Sequence, residues 1–414
     1  MNSAPAPSGR SPLLSTPLPS RSRWGDAELK RLTEMVGQKS LFYWNGAQTA
    51  ALTEEFQRHY PFKYVFPCSS GTGSLHIAVA ALRLRPGEEV VVSPITDMGS
   101  VIGILYQQGV PVFADLDPRT YNLDPEAVRR AITSKTRAIM AVHLAGNPCD
   151  LTALSALARA KGLSLIEDCA QSWGARHQGR PVGLWGDFGC YSFNDFKHLS
   201  CGDGGIVATN SDIFGPSLGK WGDKSYDRVG AMKDPALLRD PADLAPNYRI
   251  SEPQAAVAAS QLTKLTDIVA QRNRAGDRLT TQLANVSGVL PPITRPGDLH
   301  SYWFYFLRLD LPRLRVGRDD FVSALRAEGL PANAGYIPKP VYRYRVFQTH
   351  NFFGGAWPAR DSGLTTMDYR EVKCPVAEAI LNDGITFPLN EAMADVYIDQ
   401  VAHVIGTVAA RLAG

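Results

Sequence analysis

The sequence predicts an α/β protein with a large domain on a mostly parallel sheet and a smaller α+β domain at its C-terminal end. Between residues 63 and 210, short apolar runs alternate with helical stretches, which is the pattern of parallel strands joined by crossover helices. After residue 285 this alternation stops, and aromatic-rich runs are mixed with helices. We therefore expect a large domain at residues 24–284, opened by a helical segment, and a small domain at residues 285–414.

Each element is predicted from the spacing of its apolar residues. Helices at 24–36 and 49–60 are expected to precede the sheet. Strands are predicted at 64–67, 90–92, 111–114, 138–142, 163–166, 188–193 and 206–209, with helices between them at 74–84, 99–108, 124–132 and 151–160. One long helix at 253–274 follows, and then a strand at 301–309 and helices at 318–328 and 393–412. On that last strand, Trp303 and Tyr305 share a face that we expect to be core.

Composition excludes several classes of protein. The net charge of +3 is small and spread along the 414 residues, which argues against a nucleic-acid surface. No run approaches the roughly 18 apolar residues of a membrane span. The six cysteines form no C-x-x-C pair, so we expect no metal site, and reduced thiols in the cytoplasm. Residues 1–23 are rich in Ser and Pro and lack the apolar stretch of a signal peptide, so they are predicted to be a disordered lead-in.

Polar motifs follow several of the predicted strands, where ligands of parallel sheets bind. Residues 69–73 (Ser-Ser-Gly-Thr-Gly) lie between a strand and a helix, and offer backbone N–H groups and a hydroxyl to an anion. Glu167 and Asp168 end another strand, and alternation sends them to opposite faces, so only one can meet a ligand. Taken alone, the turn is explained equally well by a plain helix cap, and the carboxylates are explained better by an N-cap or a surface turn.

Lys197 follows a third strand and has Phe193, Phe196 and Leu199 as neighbours in the sequence, which favours burial. Burial lowers the pKa of an amine and favours the neutral, nucleophilic form that Schiff-base chemistry needs. The glycine-rich loop at 202–205 allows backbone to approach a ligand closely. An anion-binding turn, a strand-end carboxylate and a buried lysine are the parts that pyridoxal phosphate (PLP) requires for its phosphate, ring nitrogen and aldehyde.

In combination, these motifs resemble the DegT/DnrJ/EryC1/StrS family of PLP-dependent sugar and cyclitol aminotransferases. The family has the fold of PLP-dependent transferases of fold type I, with a seven-stranded sheet in the large domain. The resemblance extends over about residues 25–410. The matching segments are 70–76, 110–117, 142–148, 166–171, 192–197, 202–205 and 247–249, together with Gln254.

The resemblance implies a role for individual residues. Lys197 would bind the cofactor aldehyde covalently and Asp168 would bond the ring nitrogen, which makes these two the predicted catalytic residues. Gln171 would lie against the ring near its 3-hydroxyl side. Asn247 would reach the phosphate from the partner subunit, so the resemblance implies a homodimer with shared active sites. The phosphate would otherwise be bound by Gly71, Thr72 and Ser192.

The sequence departs from the family pattern at Asp97, where the family has an aromatic residue stacked on the cofactor ring. We keep Asp97 as a predicted cofactor-binding residue, and expect ring stacking from elsewhere, with Met98 as one candidate. Candidate substrate-binding residues are Arg249, Tyr336 and Lys339. For Arg249, a structural ion pair is an equally good interpretation.

The activity implied by the resemblance is transamination. An amino group would pass from glutamine or glutamate to a nucleotide-linked keto sugar or a ketocyclitol, in natural-product or surface-sugar biosynthesis. Two alternatives stay open. One is a PLP-dependent dehydratase, lyase or cyclase, although the related dehydratases have histidine where this chain has Lys197. The other is a non-catalytic PLP-binding regulator, for which the sequence offers no DNA-reading motif.

Overall fold

The computed structural model describes residues 11–238 and 240–414, so residues 1–10 of the predicted lead-in lie outside it. Two helices precede the first strand, and strands then alternate with helices. The strands of the first part are β1 (Tyr64–Cys68), β2 (Glu89–Val92), β3 (Val110–Phe113), β4 (Thr136–Val142), β5 (Ser164–Asp168), β6 (Arg176–His177), β7 (Arg180–Pro181), β8 (Phe188–Ser192) and β9 (Gly205–Thr209). The helices are α1 (Asp26–Val36), α2 (Ala47–His59), α3 (Gly71–Ala81), α4 (Gly99–Tyr106), α5 (Pro125–Ala131), α6 (Leu151–Lys161), α7 (Glu252–Leu262) and α8 (Leu265–Leu283).

Seven of these strands form the main sheet, in the order β1-β9-β8-β5-β4-β2-β3. Only β9 runs against the other six, because it pairs antiparallel with both β1 and β8. Every residue of β2, β8 and β9 is buried. Such continuous burial is expected of strands that have helices packed on both faces. The predicted α/β class and the mostly parallel, seven-stranded sheet are therefore confirmed.

The long helix predicted at residues 253–274 is wrong, because two helices occupy this region. α7 ends at Leu262 and α8 begins at Leu265. At the break, Thr263 Oγ1 donates a hydrogen bond to the carbonyl oxygen of Ser260 at 2.8 Å. Such local side-chain bonding competes with the helical hydrogen-bond ladder. No glycine or proline marks the break in the sequence.

A second, antiparallel sheet lies in the C-terminal part, in the strand order β10-β11-β13-β12. The predicted strand at 301–309 is shorter than expected, because it begins only at Tyr305. The strands of this part are β10 (Val289–Leu290), β11 (Tyr305–Leu309), β12 (Asn333–Ala334) and β13 (Gly384–Phe387). The helices are α9 (Arg318–Ala327), α10 (Arg345–Gln348), α11 (Pro358–Asp361), α12 (Pro375–Asp383) and α13 (Asp395–Arg411).

Two hydrophobic cores interleave along the chain. The core of the main sheet includes Phe347, Trp357 and Tyr369, which come from the aromatic C-terminal segment. The core of the second sheet includes Leu279 and Leu283, which come from α8. The domain boundary expected between residues 284 and 285 therefore stays a prediction. Within the described residues, no helix is long and apolar enough to cross a membrane.

Residues 11–23, which we name the N-terminal arm, contain no helix or strand but have defined contacts. Leu14 is buried in the second core, and its backbone N–H donates to the carbonyl oxygen of Glu328 at 3.0 Å. Farther along, the Pro19 carbonyl oxygen accepts from Asn390 Nδ2 at 3.0 Å. The arm thus has more contacts with the folded chain than a free lead-in would have.

Candidate active site

A cavity of about 370 Å³ lies where β5, β8 and the turn after β1 end. Residues from seven separate segments of the chain line it, and it lies at the carboxyl ends of the parallel strands, as expected for this class of sheet. The sequence-predicted residues that line it are Gly71, Thr72, Asp97, Asp168, Ser192, Lys197 and Tyr336.

The turn after β1 presents the N-terminus of α3 to the cavity. Ser70 caps this helix, and its Oγ accepts from the backbone N–H of Gly73 at 3.0 Å. A Cβ atom on Gly71 would lie 2.6 Å from Cβ of Ser192, so only glycine fits between the turn and the end of β8. Backbone N–H groups and the Ser192 hydroxyl therefore converge, and this arrangement suits an anion.

Asp168 is the last residue of β5 and is buried with its carboxylate fixed. Ser100 Oγ donates to Oδ2 at 2.7 Å, and the backbone N–H of Ala170 donates to Oδ1 at 3.0 Å. Burial raises the pKa of Asp168, and the Ser100 hydroxyl, the Ala170 N–H and the charge of Lys197 oppose that rise. Ser100 is not among the residues predicted from the sequence. The only feature of the sequence that could indicate it is its place at the start of α4, the helix that follows β2.

Glu167 lies on the opposite face of the sheet from the cavity. Its carboxylate oxygens accept from the backbone N–H groups of Gly183 at 2.6 Å, and of Trp185 and Gly186 at 2.7 Å each. His143 Nε2 lies 3.2 Å from the same carboxylate. Among the described residues, His143, Glu167 and Cys169 place possible metal-ligating atoms within 4.8 Å of one another. A cation there would compete with the three N–H donors, so we interpret the group as a hydrogen-bonded cluster behind the sheet.

Lys197 lies in the loop that follows β8, and its amine points into the cavity. Nζ is 3.5 Å from the centre of the Trp303 ring, within the range of a cation–π contact. Burial lowers the pKa of Lys197 to about 8, against the opposing charges of Asp168 and Asp97. The lysine therefore has an accessible neutral form near physiological pH, which a nucleophilic amine requires.

The prediction that Trp303 lies in the core is wrong, because this side chain lines the cavity. It comes before β11 and forms part of the cavity wall, and its Nε1–H donates to the carbonyl oxygen of Phe196 at 2.7 Å. The reason is the backbone of Tyr302, whose φ of 46° is left-handed and ends any extended run there. Trp303 and Tyr336 thus supply aromatic surface to the cavity, whereas Asp97, at the position where an aromatic residue was expected, supplies a carboxylate.

The N-terminal arm holds the backbone of the lysine loop. Arg21 Nη1 donates to the carbonyl oxygen of Lys197 at 3.3 Å, and the Arg23 guanidinium donates to the same oxygen and to that of Asp195. Arg23 is itself held, because Gln261 Nε2 donates to its carbonyl oxygen at 2.8 Å. Two arginines of the predicted lead-in thus reach the catalytic loop.

Asp97 lies between β2 and α4, just before the N-cap residue Met98 of that helix. Its Oδ1 accepts from the backbone N–H of Gly99 at 2.8 Å, and no described residue donates to Oδ2. Asp97 therefore presents a carboxylate to the cavity at the position where the family resemblance led us to expect an aromatic ring. Met98, the suggested substitute, packs against the core and is not among the described residues that line the cavity.

The remaining predicted residues lie outside the lining of the cavity in the described part of the chain. Gln171 is buried beside it, where Oε1 accepts from the N–H of Ala145 at 2.8 Å and Nε2 donates to the Tyr336 hydroxyl at 3.2 Å. Arg249 Nη1 lies 3.3 Å from Asp223 Oδ1, which is the structural ion pair considered as its alternative. Two further residues, Asn247 and Lys339, are exposed.

The residues of the cavity fit the chemistry of PLP. Gly71 lets the α3 N-terminus approach the Ser192 side chain closely, so that backbone N–H groups and a hydroxyl lie side by side, which suits the phosphate. Asp168 offers a fixed, buried carboxylate for a protonated ring nitrogen, and Lys197 offers a buried amine for the aldehyde. Fold and site together define a PLP-dependent enzyme of fold type I.

Comparison with known proteins assigns the family. The sequence profile of the DegT/DnrJ/EryC1/StrS aminotransferase family matches residues 23–406, and the chain belongs to this family. The L-glutamine:2-deoxy-scyllo-inosose aminotransferase of Streptoalloteichus tenebrarius is 36% identical over 346 residues, which cover 80% of this chain and 79% of that protein. A Micromonospora echinospora protein, provisionally named L-glutamine:3-amino-2,3-dideoxy-scyllo-inosose aminotransferase, is 30% identical over 91% of this chain and 89% of its own.

A solved structure agrees with this assignment. The aminotransferase from Psychrobacter cryohalolentis superimposes with a TM-score of 0.84 and is 26% identical, over 96% of this chain and all of that chain. The expected cofactor, PLP, and the expected class of enzyme, an aminotransferase, are therefore confirmed.

Proposed function

We propose that this protein transfers an amino group from glutamine or glutamate to the ketone of a keto sugar or ketocyclitol. The observation that carries the proposal is the joint position of Lys197 and Asp168. A buried amine of pKa about 8 and a fixed, buried carboxylate line one cavity with an anion-binding turn. The names of the two glutamine-dependent relatives support glutamine as the donor and a ketocyclitol as the acceptor.

Each residue has a distinct task in this proposal. The bound cofactor supplies an aldehyde for the donor amine and a ring that takes up electrons. Lys197 Nζ would be the base that takes up the proton from the donor carbon, since its neutral form is accessible near pH 7. Asp168 keeps the ring nitrogen protonated, held in orientation by the Ser100 hydroxyl. Gly71, Thr72 and Ser192 bind the phosphate.

The proposal includes a cytoplasmic homodimer in which Asn247 of each subunit completes the partner's site. Its support is that Asn247 is exposed and lies outside the cavity lining of its own chain in the described residues. All six cysteines are free, which agrees with a reducing compartment. Analytical ultracentrifugation tests the dimer, and mixing inactive Lys197→Ala with inactive Asn247→Ala subunits should restore activity if sites are shared.

A two-stage spectroscopic experiment tests the reaction. Glutamine should abolish the absorbance of the holoenzyme at roughly 400–430 nm as the amino group is taken up. Three ketones are then offered: 2-deoxy-scyllo-inosose, 3-amino-2,3-dideoxy-scyllo-inosose and a UDP-linked keto sugar. Return of the band with a ketone identifies the acceptor class, and Lys197→Ala should show neither stage.

Three outcomes would contradict the proposal. If Lys197→Ala kept borohydride trapping of the cofactor and turnover, the assignment of the lysine would fail. If a ketone were consumed without return of the band, the dehydratase or lyase alternative would replace transamination. A holoenzyme that binds PLP but never reacts with an amino donor would support the non-catalytic regulator.

A further inference from the structure

The charges that face the cavity are mostly negative. Asp97, Asp168 and Asp203 line it, and Lys197 is the one lysine or arginine among the described residues that do so. The inference below rests on the proposed function, in which Lys197 and Asp168 are committed to the cofactor. The charges left to face an acceptor are then the two carboxylates of Asp97 and Asp203.

Of these two, Asp97 is better placed to bind a cation. Its Oδ1 is fixed by the N–H of Gly99 at 2.8 Å, and its Oδ2 has no donor among the described residues. The Asp203 carboxylate likewise has one bonded oxygen, since Asn194 Nδ2 donates to Oδ1 at 3.2 Å, so Asp97 is distinguished by its position, where the family resemblance predicts a ring stacked on the cofactor. Asp97 is therefore a rigidly held carboxylate with one oxygen available to a ligand.

Neighbouring groups show which part of the cavity Asp97 reaches. Burial raises the pKa values of Tyr336 and Tyr344, and the charge of Asp97 raises both further. The same charge acts on Lys197. Asp97 lines the same cavity as Lys197 and Tyr336. This is the space that an acceptor ketone must enter to reach the amine.

We propose that the acceptor carries a protonated amino group in addition to its ketone, and that Asp97 binds this ammonium. A carboxylate and an ammonium form a charge-assisted hydrogen bond, which is roughly twice as strong as one between neutral groups. A diphosphate-linked sugar, in contrast, would bring negative charge to a wall that already carries carboxylates.

The matched ketocyclitols introduced above separate charge from shape. The 3-amino compound has an amine where 2-deoxy-scyllo-inosose has a hydroxyl, and both keep the ketone. Because a hydrogen bond between charged groups exceeds a neutral one, we expect kcat/KM for the amine-bearing ketone to be higher by about tenfold to hundredfold. The comparison is made with holoenzyme first converted to its amine form by glutamine.

Asp97→Asn is the test variant, because it keeps the size of the side chain and an oxygen for the Gly99 N–H but removes the charge. It should lower kcat/KM for the amine-bearing ketone by about tenfold or more, and change that for the hydroxyl analogue by less than about threefold. Asp203→Asn is the matched control, since it neutralises the other carboxylate of the cavity. It should keep the preference for the amine-bearing ketone.

Three results would overturn the inference while leaving transamination intact. They are equal kcat/KM for the two ketocyclitols, an equal loss for both in Asp97→Asn, and preference for the UDP-linked keto sugar. If no ketone restores the absorbance band, the proposed function itself fails, and the inference fails with it. The two failures are therefore distinguished by whether any acceptor reacts.

Discussion

Replacing Lys197 with methionine should stabilise the cofactor-free protein at neutral pH while abolishing its activity. Burial lowers the pKa of this lysine from 10.5 to about 8, so folding at pH 7 encloses a cation that prefers water. The difference of 10.5 − 8 = 2.5 pKa units corresponds to about 3 kcal/mol at about 1.4 kcal/mol per unit. The contact with the Trp303 ring offsets about 1 kcal/mol of this cost. Methionine has similar length and no charge, so we expect a gain of about 2 kcal/mol.

The pH dependence has a defined sign. Because the pKa of Lys197 is lower in the folded than in the unfolded protein, the unfolded state binds more protons between pH 8 and 10.5. Stability of the wild-type protein therefore rises with pH across this window as far as Lys197 is concerned. The cost of burying the charge is fully present below pH 8 and is lost above pH 10.5. The advantage of Lys197→Met should shrink accordingly at high pH.

Urea unfolding of the cofactor-free proteins, followed by circular dichroism, measures this difference at about pH 7 and about pH 10. Lys30→Met is the matched control, because Lys30 is exposed on α1 and its replacement should change the free energy of unfolding by less than about 0.5 kcal/mol. The reasoning is refuted if Lys197→Met is less stable than the wild type at pH 7, or if its advantage is the same at both pH values.

Two further predictions concern groups around the cofactor. Gly71→Ala should raise the Kd for PLP at least about tenfold in an absorbance titration, because the new Cβ would lie 2.6 Å from Cβ of Ser192 and displace its hydroxyl. Gly317→Ala is the control. Its new Cβ meets nothing within 4 Å, so this variant should bind PLP normally. Unchanged binding by both would remove the assigned phosphate site. Arg23→Ala should slow covalent attachment of PLP to Lys197 by about threefold to tenfold, because it removes the hydrogen bonds to the carbonyl oxygens of Asp195 and Lys197. Arg23→Lys should restore part of the rate. A loss of stability with a normal attachment rate would contradict this prediction.

Residues at the end of a strand or shortly after it were predictable from the sequence. A parallel sheet gathers its carboxyl ends at one edge, so the positions of Asp168 and Lys197 followed once the strands before them had been recognised. The same reasoning placed Glu167 on the opposite face. These inferences depend only on local periodicity, which a single sequence contains.

Residues that reach the site from elsewhere in the chain had no such signal. Arg23 comes from a segment without periodicity, and its contact with the lysine loop depends on how the arm crosses the folded chain. Trp303 belongs to an apolar run that continues into a strand. The left-handed φ of Tyr302 keeps Trp303 out of that strand, and because the residue is a tyrosine and not a glycine, the sequence does not indicate this conformation. Long-range contacts of this kind are decided by packing and not by neighbouring residues.

Glu167 and Asp168 have a consequence for how this enzyme can fail. A shift of β5 by one residue would exchange the two carboxylates, bringing the longer one into the cavity. The three N–H groups of the turn at 183–186 that hold Glu167 oppose such a slip from the far side of the sheet. This turn therefore fixes the register of β5. Substitutions that disturb it would behave as active-site mutations without touching any residue that meets the cofactor or the substrate.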